Sequence, residues 1–408
     1  MDTVAKDKGK WILAALFCGW IVSYIDRTVI SLALVDMGNE LHLSATQLGF
    51  AISAFFLGYA LMQIPGGFLA DKFGSKRLII SAVVIWSVFT ALTGFAWSLV
   101  SLIIIRILFG IGEGMYPAAS TKAIATYFAS EKRTKAQSTM MSSNMLGGAL
   151  APIICAPLLV LLGWRHVFFV ISVLGIFIIV WFYFTTRNAK QFKAADAADK
   201  LPKGEMKKLL QNATLWKILS IFFFVNIANW GLFSWMPTYL MKEHGVNMSE
   251  VGLIAAIPAL FATVGMLLSG VLITKFGNRS KFGIVFGTAA LAVMLFLMAN
   301  ATSVGLIIFY QTIGMMCISF IISFNFSAPH RLMPQHVVAT AFGMINFGGQ
   351  TAGILSPTIM GSIISATGSY TSAFIFLAIS CLVACAISFT LPGAKKQMAQ
   401  QAEVDTAL

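Results

Sequence analysis

The chain has 408 residues, of which 58% are hydrophobic and only 11% charged, with 28 Lys and Arg against 15 Asp and Glu for a net charge of +13. Soluble domains carry about 25% charged residues, so this composition excludes an ordinary water-soluble fold and leaves lipid as the solvent. In lipid the backbone must satisfy its own hydrogen bonds, which restricts the chain to helices or a closed barrel. Barrel strands alternate polar and apolar residues over about ten positions, whereas runs such as Leu78 to Val100 and Val167 to Thr185 are unbroken. The expected fold class is therefore an all-α membrane protein.

The basic balance reports topology. Apart from Arg27, Arg106, Arg165 and Lys242, every Lys and Arg falls at a terminus or in every second loop, which is the positive-inside asymmetry. Both termini are expected in the cytoplasm, with the protein in the cell (inner) membrane, surrounded by lipid and without a nucleic-acid partner. Cys18, Cys155, Cys317, Cys381 and Cys385 lie in apolar runs without CxxC spacing and read as buried small hydrophobes, with no metal site expected.

A span needs roughly 20 apolar residues. That ruler predicts twelve, near 11–34, 47–70, 78–97, 99–127, 137–162, 166–186, 216–241, 250–273, 282–299, 303–327, 337–365 and 370–392. Lys6, Lys8 and Lys10 before span one imitate a signal peptide. The apolar run nevertheless continues past Asp26 and Arg27 with no small-residue cleavage site, so span one is expected to be retained. Span two opens on Ser44-x-x-Gln47, a capping-box pattern, carries Tyr59, and ends in Gly67-x-Leu69-Ala70-Asp71-Lys72-x-Gly74-x-Lys76-Arg77. Span four holds Arg106-x-x-x-Gly110-x-x-x-Gly114 with Glu113 inside it, and Lys122 near its end, where snorkelling accounts for a lysine. Span five carries Asn144, Gly147, Gly148 and Pro152.

The polar stretch Arg187 to Gln211 divides the chain into an N-terminal six-helix bundle (1–186), a cytoplasmic linker (187–215) and a C-terminal six-helix bundle (216–408). The halves rhyme at a shift of 203 residues. Gly67, Leu69, Lys72, Phe73 and Gly74 recur as Gly270, Leu272, Lys275, Phe276 and Gly277, and Ser44-x-x-Gln47 maps onto Asn247-x-x-Glu250. Two pseudo-symmetric halves related about a membrane-normal axis are the architecture of a large transporter class.

Charged residues inside the spans are few: Asp26 and Arg27 in span one, Arg106 and Glu113 in span four. A central charge costs about 2.5–3.5 kcal/mol on insertion scales, so four retained in one half imply a polar cavity. At 1.5 Å per residue, Asp26 lies roughly 22 Å into span one and Arg106 roughly 10 Å into span four from the opposite side, which are similar depths. The competing bland expectation is two static ion pairs joining spans one and four. In the second half, span seven offers Asn229 and Trp230. Span eleven offers Asn346 and Gln350 on one face among Gly343, Gly348, Gly349 and Gly353. These suit a hydroxylated ligand, or else ordinary small-residue helix packing.

The span-two and span-four motifs resemble those of the major facilitator superfamily. Tyr24-x-Asp26-Arg27, Tyr59, Arg106 to Glu113 and Trp235-x-Pro237-Thr238-Tyr239-Leu240 are similar to the anion:cation symporter family within it, whose members carry hexuronates, aldonates, aldarates and sialin-type organic anions. The resemblance implies a monomeric proton-coupled symporter importing a small organic anion by alternating access, with protons as coupling ion and no other cofactor. It implies that Asp26 and Glu113 carry coupling protons and that Arg27 and Tyr59 line the site. Arg106 would organise Glu113 or the substrate carboxylate, and Asp71, Lys72 and Arg77 would belong to a gate. A drug/H⁺ antiporter is the alternative, weakened because Ala151-Pro152-Ile153-Ile154 departs from the span-five motif of such antiporters. A channel or an integral membrane enzyme is disfavoured by the asymmetric duplication and by the absence of catalytic spacing in the spans.

Overall fold

A computed structural model describes residues 2–187, 189, 205–276, 280–332 and 337–391, and they are almost wholly helical. In chain order the helices are α1 (Asp2–Glu40), α2 (Ala45–Phe73), α3 (Ser75–Gly94), α4 (Leu99–Gly114), α5 (Tyr116–Tyr127), α6 (Ser130–Thr186), α7 (Glu205–Gln211), α8 (Ala213–His244), α9 (Met248–Phe276), α10 (Ser280–Ala299), α11 (Val304–Leu332), α12 (Val338–Thr367) and α13 (Tyr370–Phe389). Ten helical stretches are long and apolar enough to cross a membrane. One of them, α6, reverses at Gly163, whose φ of 72° is a left-handed value that glycine alone adopts without strain, so it supplies two crossings. The 30-residue, glycine-rich α12 is not among these stretches.

Local chemistry sets the ends. Ser44 accepts from the Gln47 backbone N–H at 3.4 Å while the Gln47 side chain accepts from the Ser44 N–H at 2.8 Å, closing the capping box at the start of α2. In the repeat copy, Asn247 Oδ1 accepts from the Glu250 N–H at 3.0 Å. The backbone of α9 continues helical through Phe276, and Gly277 lies outside the described residues, as do 188 and 190–204 of the linker.

The apolar run over 99–127 forms one span, Leu99–Tyr127. Its hydrogen-bond ladder is interrupted at Met115, which keeps a helical φ of −75° and ψ of −26°, and Pro117 lies in the first turn of α5. Proline has no N–H to give the carbonyl of residue i−4, here Glu113, so one bond of the ladder is lost there, as it is at Pro65 and Pro152 inside α2 and α6.

The contacts form two units, Met1–Ala197 with Trp235–Ala256, and Ala198–Ser234 with Ile257–Leu408. A division at the linker places all of 216–408 in the second half; the contacts instead draw the α8–α9 turn into the first unit. There, a Cβ on Gly252 would sit 2.7 Å from the Pro152 carbonyl and 2.5 Å from Ala156. Within the first unit, α1 packs along α6 and α2 along α4. Glycines make the second contact close: a Cβ at Gly58 would meet the Ile107 carbonyl, and Cβ atoms at Gly110 and Gly114 would meet the carbonyls of Phe55 and Tyr59. Lipid supplies no hydrophobic drive between helices, so such small-residue seams hold spans together by dispersion and backbone approach.

Two glycine substitutions separate packing from propensity. Gly58→Val should destabilise the protein by about 1–3 kcal/mol or more through overpacking, read as a lower melting temperature in detergent. Gly67→Ala, where a Cβ meets nothing within 4 Å, should leave it unchanged or slightly raised.

Candidate functional site

Asp26, Arg27, Arg106 and Glu113 are exposed by 2%, 6%, 1% and 1%, and among the described residues no other Asp, Glu, Lys or Arg is buried. All four belong to the first unit. Asp26 and Arg27, consecutive on α1 and so about 100° apart, take different neighbours. Arg27 Nε donates to Glu113 Oε1 of α4 at 2.9 Å. The Ser23 hydroxyl, one turn earlier on the same face of α1, donates to the same oxygen. Asp26 instead accepts from the Thr90 hydroxyl of α3, at 3.1 Å from Oδ1.

Of the two ion pairs expected between spans one and four, one is present. Arg106 has no carboxylate within ion-pair distance among the described residues, although Asp26, Glu113 and Arg106 stand within electrostatic reach of one another. Arg106 therefore does not organise Glu113 directly; Arg27 and Ser23 do. Seven residues along one helix put about 10 Å of rise between Arg106 and Glu113, whereas the packing of α1 brings Arg27 directly against Glu113.

Aromatic rings line the two cations. The Arg27 guanidinium carbon lies 5.3, 5.1 and 4.7 Å from the ring centroids of Tyr24, Phe55 and Tyr59, and that of Arg106 lies 5.2 and 4.5 Å from Phe55 and Phe109. Sharing Phe55 puts the cations no more than about 10 Å apart. At that separation and an effective dielectric near 20 their repulsion is roughly 2 kcal/mol. Cation–π contacts contribute about 0.5–2 kcal/mol each, at the upper end when desolvated, so the rings are of the size needed to hold the cations together. Arg27 Nη2, Arg106 Nε and Glu113 Oε2 are buried without a hydrogen-bond partner. Unpaired buried groups cost energy, and a polar guest reaching all three would recover it.

Asn144 lies on the face of α6 that carries Gly147 and Gly148. A Cβ at Gly147 would meet Tyr24 at 2.8 Å, so this face abuts the α1 segment holding Arg27. Asn144 Oδ1 is also buried and unpartnered. Asn229, Trp230, Asn346 and Gln350 belong to the second unit. There Trp230 packs edge-on against Phe233 at 5.8 Å, and Gln350 Oε1 is buried without a partner. Gly348 and Gly349 press α12 onto Leu219 and Phe222 of α8, and Ser356 donates to the Ile227 carbonyl at 2.6 Å. For those two glycines close packing is the structural role. Gly343 opens onto free space.

The gate-motif residues stand apart from this cluster. Asp71 Oδ1 pairs with Lys122 Nζ at 2.7 Å, which corrects the expectation that Lys122 merely snorkels. Lys72 Nζ lies 5.3 Å from the Phe73 ring, and Arg77 is exposed. At the other end of the unit Glu40 accepts from Trp164 Nε1 at 2.6 Å and Arg165 Nε at 2.8 Å, and Arg165 Nη1 reaches the Gly94 and Ala96 carbonyls. Ser23, Thr90, Phe55 and Phe109 are the site residues that sequence alone does not single out. Ser23 had a findable signal, since it lies one turn before Arg27.

A family profile described as the Major Facilitator Superfamily matches residues 16–357. The chain belongs to the Major Facilitator Superfamily. It is thus a multi-pass membrane transporter and not an enzyme. It is 30% identical to a protein of Escherichia coli strain K12 named as a probable galactarate/D-glucarate transporter, over 98% of this chain and 99% of that one. It is 29% identical to the hexuronate transporter of Bacillus subtilis strain 168, over 91% of each. Two solved superfamily structures share the fold. One is a bacterial homologue of the human lysosomal transporter Spinster, with a TM-score of 0.82 at 21% identity over 96% of this chain and 98% of that one. The other is a D-xylose-proton symporter, with a TM-score of 0.78 at 15% identity over 94% and 98%.

The buried pair gives a stability test of the superfamily site. Arg27→Ala leaves Glu113 buried beside an empty place and should cost about 3–5 kcal/mol. Adding Glu113→Gln removes the orphaned charge and should restore much of the loss of melting temperature.

Proposed function

We propose that this transporter is a proton-coupled symporter importing a sugar acid (a hexuronate, aldonate or aldarate) by alternating access. The observation that carries the reading is the buried Arg27–Glu113 pair, with Arg106 beside it and unpaired. The names of the relatives, transporters of galactarate, glucarate and hexuronates, support the substrate class.

In this reading the Glu113 carboxylate and the substrate anion compete for Arg27, so proton and anion bind cooperatively. While Glu113 is ionised it occupies Arg27 Nε and fills the place of an acid substrate. Protonation weakens that hold and leaves the site one charge more positive, so a carboxylate can take Arg27 and the free donors of Arg106. The bound anion in turn favours protonated Glu113, and the two ligands bind with reciprocal coupling. Asp26, held by Thr90, is the second proton carrier, and its protonation moves the charge in the same direction. Tyr59 and Asn144 supply aromatic and amide contacts suited to a polyhydroxylated chain, and Asn229, Trp230, Asn346 and Gln350 of the second unit are assigned a substrate-binding role from their residue types. The Asp71–Lys122 pair, with Lys72 and Arg77, forms a gate at the motif-bearing end. The positive-inside distribution orients the protein with both termini in the cytoplasm of the cell membrane. It works as a monomer, and protons are its coupling ion.

In proteoliposomes an inward acid gradient should drive concentrative uptake of galactarate, galacturonate or galactonate, and an ionophore that collapses the gradient should abolish it. Uptake indifferent to the gradient would falsify symport. Glu113→Gln should suppress gradient-driven accumulation by about a hundredfold or more, the scale on which losing a proton-transfer group acts, while substrate exchange is retained. Equal loss of both points to a structural role for Glu113.

A further inference from the structure

We propose that Phe55 is a positioning residue of the anion site, the ring that keeps Arg27 and Arg106 together and charged while leaving the N–H edge of Arg106 and Nη2 of Arg27 free. The inference deepens the sugar-acid reading and rests on it.

A Cβ on Gly110 would lie 2.2 Å from the Phe55 carbonyl, so α4 touches α2 at this residue and little freedom remains in where its side chain starts. From there the ring reaches both guanidiniums, 5.1 Å from Arg27 and 5.2 Å from Arg106, and is itself held by Phe109 at 5.4 Å and Tyr59 at 5.7 Å between centroids. Phe55 is 2% exposed. Among the described residues it is the ring that both buried arginines share.

The choice of an aromatic here has a chemical consequence. A second carboxylate beside Arg106 would stabilise the cation, but it would also neutralise it and occupy the donors an acid substrate needs. An aromatic face stabilises a guanidinium through its plane and leaves the in-plane N–H fork unclaimed. Arg106 matches the second case: it has rings on Phe55 and Phe109, no ion pair, and a buried Nε without a partner. Arg27 is intermediate, with Glu113 on Nε and Nη2 still open. Phe55 thus acts on the ligand through the two arginines without supplying a polar contact of its own.

The test replaces Phe55 by phenylalanines carrying one, two and three ring fluorines, which preserve shape and progressively remove the negative face, and by Leu. Affinities of the purified full-length transporter for galactarate, galactonate and galacturonate are measured alongside melting temperature. Affinity should fall stepwise along the fluorine series, reaching about tenfold for the trifluoro ring as the cation–π contribution disappears, with melting temperature nearly constant. In an Arg106→Gln background the same series should lose no more than about threefold, because one of the two cations is gone. Equal affinity along the series, or an undiminished penalty in the Arg106→Gln background, reduces Phe55 to packing and overturns the proposal. Binding of none of the three acids by the wild type overturns the sugar-acid reading itself, and this proposal with it.

Discussion

A charge buried in a membrane protein must have a partner or a purpose, and the first unit of this transporter is built around one such charge, Glu113. Its Oε1 takes two donors from one face of α1, Arg27 Nε and the Ser23 hydroxyl, while Oε2 has none. A buried ion pair is a poor stabiliser compared with apolar packing of the same volume, so stability alone does not account for keeping one here. The half-satisfied state of the cluster is the informative part. Arg27 Nη2, Arg106 Nε and Glu113 Oε2 are open together.

The surrounding helices place this cluster by steric rather than polar means. Gly58, Gly110 and Gly114 bring α2 and α4 into backbone contact, and that contact fixes which way α4 turns its charged side chains. The same seam seats Phe55 between the motif glycines and the arginines. Just beyond Glu113, Pro117 leaves the Glu113 carbonyl without its usual backbone donor, so the residue bearing the carboxylate sits at a weakened turn of the span. A close glycine seam holds the other side.

Much of this was legible in residue order because lipid penalises charge and rewards length. Twelve apolar runs, the turn near Gly163 and the four intramembrane charges follow from those two rules, and the structure buries those four and no other described charged residue. What order could not give was pairing. Arg27 rather than Arg106 holds Glu113 because helix packing brings together two residues 86 positions apart, which residue order does not show. The Lys122–Asp71 pair and the Thr90–Asp26 bond likewise join distant positions. Phe55 lies in a run of apolar residues, where nothing in composition separates a cation-binding ring from core. In the second unit the glycines of α12 read equally as ligand approach or packing, and the contacts of Gly348 and Gly349 with α8 resolve those two as packing.

In the proposed mechanism Arg27 is exchanged between Glu113 and an acid substrate, which requires a proton to accompany the anion. The most direct measurement is calorimetric titration of the purified transporter with galactarate or galacturonate in buffers of different ionisation enthalpy at one pH, which counts protons taken up per anion bound. Net proton uptake is expected of the wild type, and a smaller uptake, with anion binding retained, of Glu113→Gln. Anion binding with no proton uptake, or the same uptake in both proteins, would contradict it.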